Sequence, residues 1–373
     1  MIKYDKKCRI CDGEFFEKPI LSLKNMPESA QGFLAYKSDN QTMDINIVQC
    51  KFCGTIQLDC EPVSYYRDVI RFGGDSIADI RRKQLKEFIE KYNLENKKIV
   101  EVGASNGDFL KILNEFNVNC LGIEHSQKNI NFARKLGLNV EKNFLENENT
   151  IIKGAPFDAF VQFNFMEHQP EPNTIMQAIY NNLTEDGVGL LTVPSVEYIF
   201  NNGVFYEFLR DHLIYFSKES LFFFIQKNGF NILEYSLTHD THNIIIKKIK
   251  KLDSTKINYI YDGMRKDIVL YINKYEKVAV WGASHHAFTI LACYGLSNKI
   301  EYIIDSSKFK QDKFSIGSNI KIISPESAYK NLPETIIVMA PNNSNEIIKI
   351  IKEKFNSTIG IATIYKNEFR VIR

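Results

Sequence analysis

Beyond about residue 76, short apolar runs alternate with amphipathic stretches, the pattern of strands and helices in an α/β fold. A charged start at Lys97-Lys98 leads into the run Ile99-Val100-Glu101-Val102 and a turn bounded by Gly103 and Gly107. Asp108 opens a helix whose apolar side carries Phe109, Leu110, Ile112, Leu113 and Phe116. The next strand, Cys120 to Glu124, is followed by Ser126 as N-cap of a helix ending near Leu136. Further on, the pattern predicts a strand over Phe157 to Asn164 and a helix over Thr174 to Leu183. A turn at Glu185-Asp186-Gly187 then precedes a strand from Val188 to Val193. Ser217 caps one more helix, stopped near Gly229. A charged stretch, Lys247 to Lys256, leads to a second strand–turn–helix at Lys277 to Ser284 and Ala287 to Tyr294. The strand Ile300 to Ile304 then ends at Asp305. Strands at Thr335 to Ala340 and Ile359 to Ile364, with a helix at Asn345 to Lys354 between them, complete a second Rossmann-like unit. The expected division is 1–75, 76–250 and 251–373.

Composition changes this picture little. The 373 residues are 44% hydrophobic and 25% charged, ordinary for a globular protein and long for one core. A formal net charge of +2, with no basic aromatic stripe, argues against nucleic-acid partners. No apolar run is long enough for a membrane span, and Met1 to Lys7 lacks the apolar core of a signal peptide. A cytoplasmic protein with reduced thiols is therefore expected.

That expectation gives the cysteines their meaning. Cys60, Cys120 and Cys293 are isolated, but Cys8-x2-Cys11 and Cys50-x2-Cys53-Gly54 form two matched knuckles. A two-residue gap lets both thiolates of a knuckle reach one ion, and two knuckles complete a tetrahedral, closed zinc site of structural type. Buried unrelated thiols and a redox pair are the alternatives, and the second lacks a thioredoxin-like context.

The turn Glu101-Val-Gly103-Ala104-Ser-Asn106-Gly107 lacks the G-x-G-x-x-G that seats a pyrophosphate, and its acid two residues before the first glycine would repel phosphate. The same acid suits a cationic ligand such as S-adenosylmethionine. Glu124, about twenty residues after Gly103, sits where an acid accepts ribose hydroxyls, with His125 beside it. In order and spacing the chain resembles the class I S-adenosylmethionine methyltransferases. E-V-G-A-S-N-G is similar to their first motif. N-F-M-E-H-Q-P-E-P, with Asn164 and His168, resembles the segment beside the cofactor's methionine end. N-L-T-E-D-G-V-G-L-L resembles their late acid–glycine turn. A non-catalytic module on this fold and a nicotinamide-dependent oxidoreductase are the competing readings. The intact Glu101, Gly103, Gly107 and Glu124 stand against the first, and the missing dinucleotide glycines against the second.

Polar, ionisable and aromatic residues crowd Phe205 to Ser217, where His212 follows Asp211. Over essentially its full length the chain resembles the sugar C-methyltransferases, which join a four-cysteine zinc module, a class I methyltransferase domain and a C-terminal Rossmann-like domain. D-H-L-I-Y-F-S is similar to their E-H-x-S-Y-[FY]-S, and the later G-A-S and K-Q-D-K-F-S-I-G-S run matches in kind. The resemblance implies an activated, nucleotide-linked keto sugar as acceptor, with His212 as general base and Asp211 supporting it. Where the family reads Y-H-E-H this chain has Leu209, Arg210, Asp211 and His212, and where the family has tyrosines it has Asp68 to Phe72. Gain of Arg71 and Arg210 suggests an altered acceptor, an anionic sugar or acid among them, with transfer to oxygen or nitrogen as alternatives. His239, His242, His285 and His286 read as structural.

Overall fold

The computed structural model describes residues 7–31, 41–67 and 75–373. The chain divides into two compact units, Met1–Lys250 and Lys251–Arg373.

The first unit opens with strands β1 (Leu21–Pro27), β2 (Thr42–Gln49) and β3 (Ile56–Leu58), an antiparallel ladder. Helix α1 (Asp75–Lys91) leads into β4 (Lys98–Val102), α2 (Asp108–Leu113), β5 (Asn119–Glu124), α3 (Gln127–Lys135) and β6 (Val140–Lys142). Then follow β7 (Phe157–Phe163), α4 (Pro172–Asn182), β8 (Leu183–Pro194) and α5 (Val196–Asn202). The unit ends with β9 (Ile214–Tyr215), α6 (Lys218–Lys227), β10 (Phe230–Thr238) and β11 (Thr241–Lys248). The central sheet runs β10-β11-β8-β7-β4-β5-β6, parallel from β8 to β6, with β11 antiparallel to both neighbours. This is the sheet of the class I methyltransferases. It places the topological switch point at β4, where ligands of open α/β sheets bind beyond the strands' carboxyl ends.

Alternate residues of the buried strands feed opposite faces of the sheet. Ile99, Ala159, Val161 and Phe163 pack with Leu85 and Phe88 of α1, Leu110 of α2 and Ile130 of α3. Val100, Val102 and Phe160 pack with Met176 of α4, Phe224 of α6, Ile47 of β2 and Leu58 of β3, together with Cys8, Cys50 and Cys53. The N-terminal strands therefore share a core with the large sheet. They share a strand as well, because β9 pairs with β3 through Ile56–Tyr215 and Gln57–Ile214.

Several boundaries differ from the sequence reading. The expected turn at Glu185 to Gly187 is an excursion inside β8: Phe157 pairs with Leu183, but Ala159 pairs with Val188. Ser126 precedes α3 without capping it by its side chain, and its backbone amide donates to Glu124. Ser217 does cap α6, in a reciprocal box with Ser220.

The second unit comprises α7 (Thr255–Ile272), β12 (Val278–Trp281), α8 (His285–Cys293), β13 (Tyr302–Ile304), β14 (Ile322–Ile323) and α9 (Pro325–Lys330). It closes with β15 (Thr335–Val338), α10 (Ser344–Lys354), β16 (Gly360–Tyr365) and β17 (Glu368–Val371). Its sheet, β14-β13-β12-β15-β16-β17, is parallel except for β17. Asp305 accepts from the Ala283 and Ser307 amides at 2.8 and 2.9 Å and meets Lys310 at 3.0 Å, tying the ends of β12 and β13 together.

Candidate active site

At the carboxyl end of β4, Gly103 has φ +77° and Gly107 has φ +85°, a region where a side chain is strained. A Cβ on Gly103 would stand 2.5 Å from the Phe165 ring. Ser105 and Asn164 also have positive φ, 49° and 46°, so both loops facing the switch point hold backbone strain. Glu124, 6% exposed, accepts from the Ser105 amide at 2.7 Å with one oxygen and from the Ser126 amide at 2.8 Å with the other. A carboxylate oxygen has two lone pairs, so each retains one for a further donor. Glu101 is wholly buried at the end of β4, Ala104 is buried, and Asn106 is partly exposed in the turn.

Gly103, Glu124 and His125 line a narrow pocket of about 20 Å³ with Val102, Ile123, Asn143, Phe144, Leu145, Phe165, Ile175 and Arg67. Apolar walls, an acid at the end of β5 and no Cβ at the turn have the chemistry of a nucleoside site without phosphate, but a space that holds about one water must widen to admit one. Phe144, Phe165, Asn143 and Arg67 were not legible in the sequence. Arg67, from the N-terminal segment, lies 5.2 Å over the Phe144 ring and pairs with Glu146 at 3.1 Å.

Asn164 and Phe165 are consecutive, and they serve two different spaces. Phe165 lines the narrow pocket, whereas Asn164 lines a larger cavity of about 480 Å³. Around that cavity stand Arg81 of α1, Glu167, His168, Asp211, His212 and, at the β10–β11 turn, His239. The Asn164 side-chain oxygen accepts from Thr192 at 2.8 Å and from Arg81 at 3.3 Å, which leaves its amide nitrogen as a donor. His168, expected at the cofactor, lies on the cavity wall, its Nδ1 2.9 Å from the Asp211 carbonyl oxygen. Its ring meets that of His212 edge to face at 4.6 Å. Burial, then the neighbouring His168, hold the His212 pKa well below the ordinary imidazole value, so the ring is neutral.

Three expectations need correction. Asp211 does not pair with His212. It lies in a turn closed by the His212 amide donating to the Leu209 carbonyl at 3.1 Å, and its carboxylate instead accepts from Tyr65 at 2.6 Å and from the Ala30 amide at 3.3 Å. Arg210 is not a cavity cation either: it is 7% exposed and donates to the Glu61 carbonyl at 2.7 Å. His239, read as structural, lines the cavity, while His242 is fully buried and 3.2 Å from Glu197. Asp68 to Phe72, with Arg71, lie outside the described residues.

The four knuckle cysteines converge, their sulfur atoms all within 4.8 Å of one another. Cys8 and Cys53 are 3.5 Å apart and Cys11 and Cys50 3.4 Å, too far for disulfides and near the separation of about 3.8 Å that bonds of about 2.3 Å to a tetrahedral zinc impose. The first knuckle is fastened to the cavity segment. Asn173 donates to the Arg9 and Ile10 carbonyls at 3.1 and 3.0 Å, and Arg9 donates to the Pro170 carbonyl at 3.2 Å.

Residues 77–235 match a family model described as a methyltransferase domain, and residues 253–362 match one described as the C-methyltransferase C-terminal domain. The chain is 22% identical over 390 aligned residues to C-methyltransferase NovU of Streptomyces niveus, covering 93% of this chain and 92% of that protein. Over both regions the chain is similar to C-methyltransferases. It is an S-adenosylmethionine-dependent methyltransferase. Among solved structures, the chain is similar to an S-adenosylmethionine-dependent methyltransferase of Clostridium acetobutylicum, at 16% identity and TM-score 0.39, covering 49% of this chain and 94% of that one. It is also similar to the magnesium protoporphyrin IX methyltransferase of Synechocystis with bound SAH, at 10% identity and TM-score 0.39, covering 49% and 91%.

Proposed function

We propose that this methyltransferase alkylates a carbon beside the ketone of a nucleotide-linked sugar, with His212 as the general base. The observation that carries the reading is the 480 Å³ cavity, which has two imidazoles on one wall and shares the 163–168 segment with the nucleoside pocket. S-adenosylmethionine, when bound, supplies a methyl group on a cationic sulfur. The Gly103–Gly107 turn and Glu124 would hold its adenosine, with Glu101, Ala104, Asn106, His125 and Asn143 around it. The neutral His212 takes the proton from the carbon, and the enolate oxygen that forms receives the Asn164 amide N–H, a placed donor acting where charge develops. His168 stays oriented by its bond to the Asp211 carbonyl. Asp211 acts at a distance, by fixing Tyr65 and the N-terminal strands against the cavity.

The four cysteines would bind one structural zinc, dividing labour between a zinc segment (1–75), the methyltransferase segment (76–250) and a C-terminal Rossmann-like segment (251–373). No helix among the described residues is long and apolar enough to cross a membrane, and the reduced cysteines suit the cytoplasm. The test is mass spectrometry of products from nucleotide-linked keto, amino and hydroxy sugars. Methylation of a keto sugar with loss of the adjacent carbon-bound deuterium supports the reading. Transfer to a hydroxyl or amine without that loss moves the enzyme to the oxygen or nitrogen alternative.

A further inference from the structure

We propose that Glu167, His168 and His212 form a second metal site, which takes a divalent ion of the zinc and cobalt class and stops the enzyme when filled. Each residue offers one donor atom, and the three donors lie within 4.8 Å of one another. Glu167 Oε1 and His168 Nε2 are 4.0 Å apart. Bonds of about 2.0–2.2 Å to one ion need donors roughly 3.3 Å apart, so side-chain rotations of about an ångström close the site. The backbone already holds the pieces together, since the Leu213 amide donates to the Glu167 carbonyl at 2.7 Å.

The tautomer of His168 follows from its partner. A carbonyl oxygen only accepts, so the 2.9 Å contact with Asp211 puts the proton on Nδ1 and leaves the lone pair on Nε2, the nitrogen facing Glu167. A ring nitrogen donating to a carbonyl while the other faces the ion is how metal-binding histidines are held. Two imidazoles and one carboxylate favour zinc, cobalt or iron over magnesium and calcium. All three residues line the 480 Å³ cavity, so the fourth position of a tetrahedral ion opens toward acceptor, unlike the closed four-cysteine site.

The inhibitory part rests on reading His212 as the base: an imidazole whose lone pair is on a metal takes no proton from carbon. The experiment is calorimetric titration of the full-length protein with Zn²⁺, after dialysis against a chelator buffer that leaves the tightest equivalent bound. Wild type should take up a second equivalent. Glu167→Gln and His168→Gln should each weaken it at least tenfold while keeping the first, with melting curves confirming that they are folded. The second equivalent should also abolish methyl transfer to whichever acceptor the panel yields, and a mild chelator should restore it. A wild type that binds only one equivalent in excess zinc overturns the site, as does a second equivalent that Glu167→Gln, His168→Gln and His212→Asn all leave unchanged. If His212→Asn turns over normally yet loses the second equivalent, the base assignment falls and the metal site stands.

Discussion

Glu124 illustrates how much one side chain carries. Both its oxygens are already fixed by backbone amides, so it meets a ligand without rearranging. Charge-assisted bonds to hydroxyls contribute about 1.5–3 kcal/mol. Glu124→Ala should therefore weaken S-adenosylmethionine binding by roughly tenfold or more in calorimetry, and unchanged affinity would remove it from the cofactor site. His212→Asn makes the complementary case. It should cost about 10²–10⁴-fold in turnover, as loss of a general base does, while S-adenosylhomocysteine affinity stays near wild type. Tyr65→Phe should act differently again, because it strips a donor from the buried Asp211 carboxylate. Denaturant midpoints should report a loss of about 1–3 kcal/mol, with Asp211→Asn partly relieving it in the double variant.

At the scale of elements, the β10–β11 hairpin brings His239 to the cavity and is held from beneath by a buried polar cluster. The Ser195 amide donates to the Asp240 carbonyl at 2.7 Å, and Glu197 meets His242 at 3.2 Å and the Lys218 amide at 2.7 Å. Burial pushes the Glu197 carboxyl up, but bonds from His242, the Lys218 amide and Ser195 outweigh it and leave the pKa at about 2. A carboxyl depressed on folding contributes stability above its ordinary value of 4.5, and that contribution fades as pH falls toward 2. Wild type should thus lose more stability than Glu197→Gln between pH 5 and pH 2.5, read from urea midpoints. Equal losses would show that the cluster does not stabilise the hairpin.

The elements also show which features a sequence can display. The turn at Gly103 to Gly107 and the acid at Glu124 are local, so residue type and spacing sufficed. The β3–β9 pairing was invisible because it joins Ile56 to Tyr215 across most of the large sheet and its helices, and β9 is only two residues. The partners of the Asp211 carboxylate, Tyr65 and Ala30, come from far along the chain, so its neighbour His212 gave no sign of them. Phe144 drew no reading from the sequence, and only the fold sets Phe165 against Gly103 and lines one pocket with both rings.

For the first unit as a whole, the cysteine cluster is part of the same packing as the large sheet. Binding energy at a structural zinc site adds directly to folding. Cys50→Ser should accordingly raise hydrogen exchange in β1 to β3 and also in β9 and the 166–173 segment, which Arg9 and Asn173 tie to the first knuckle. Exchange changes confined to residues 8–60 would mean that the two sheets are energetically separate.

The strand shared at β9 also has a consequence during synthesis. The N-terminal ladder is incomplete until Tyr215 has cleared the ribosome. At about 5–20 residues per second, the ribosome needs on the order of ten seconds to make the chain between β3 and β9. For that interval Cys8, Cys11, Cys50 and Cys53 belong to a nascent segment whose edge at β3 is unpaired. Early capture of zinc by the two knuckles would shield the thiols, while the β3 edge stays open to a neighbouring chain on the same polysome until β9 arrives.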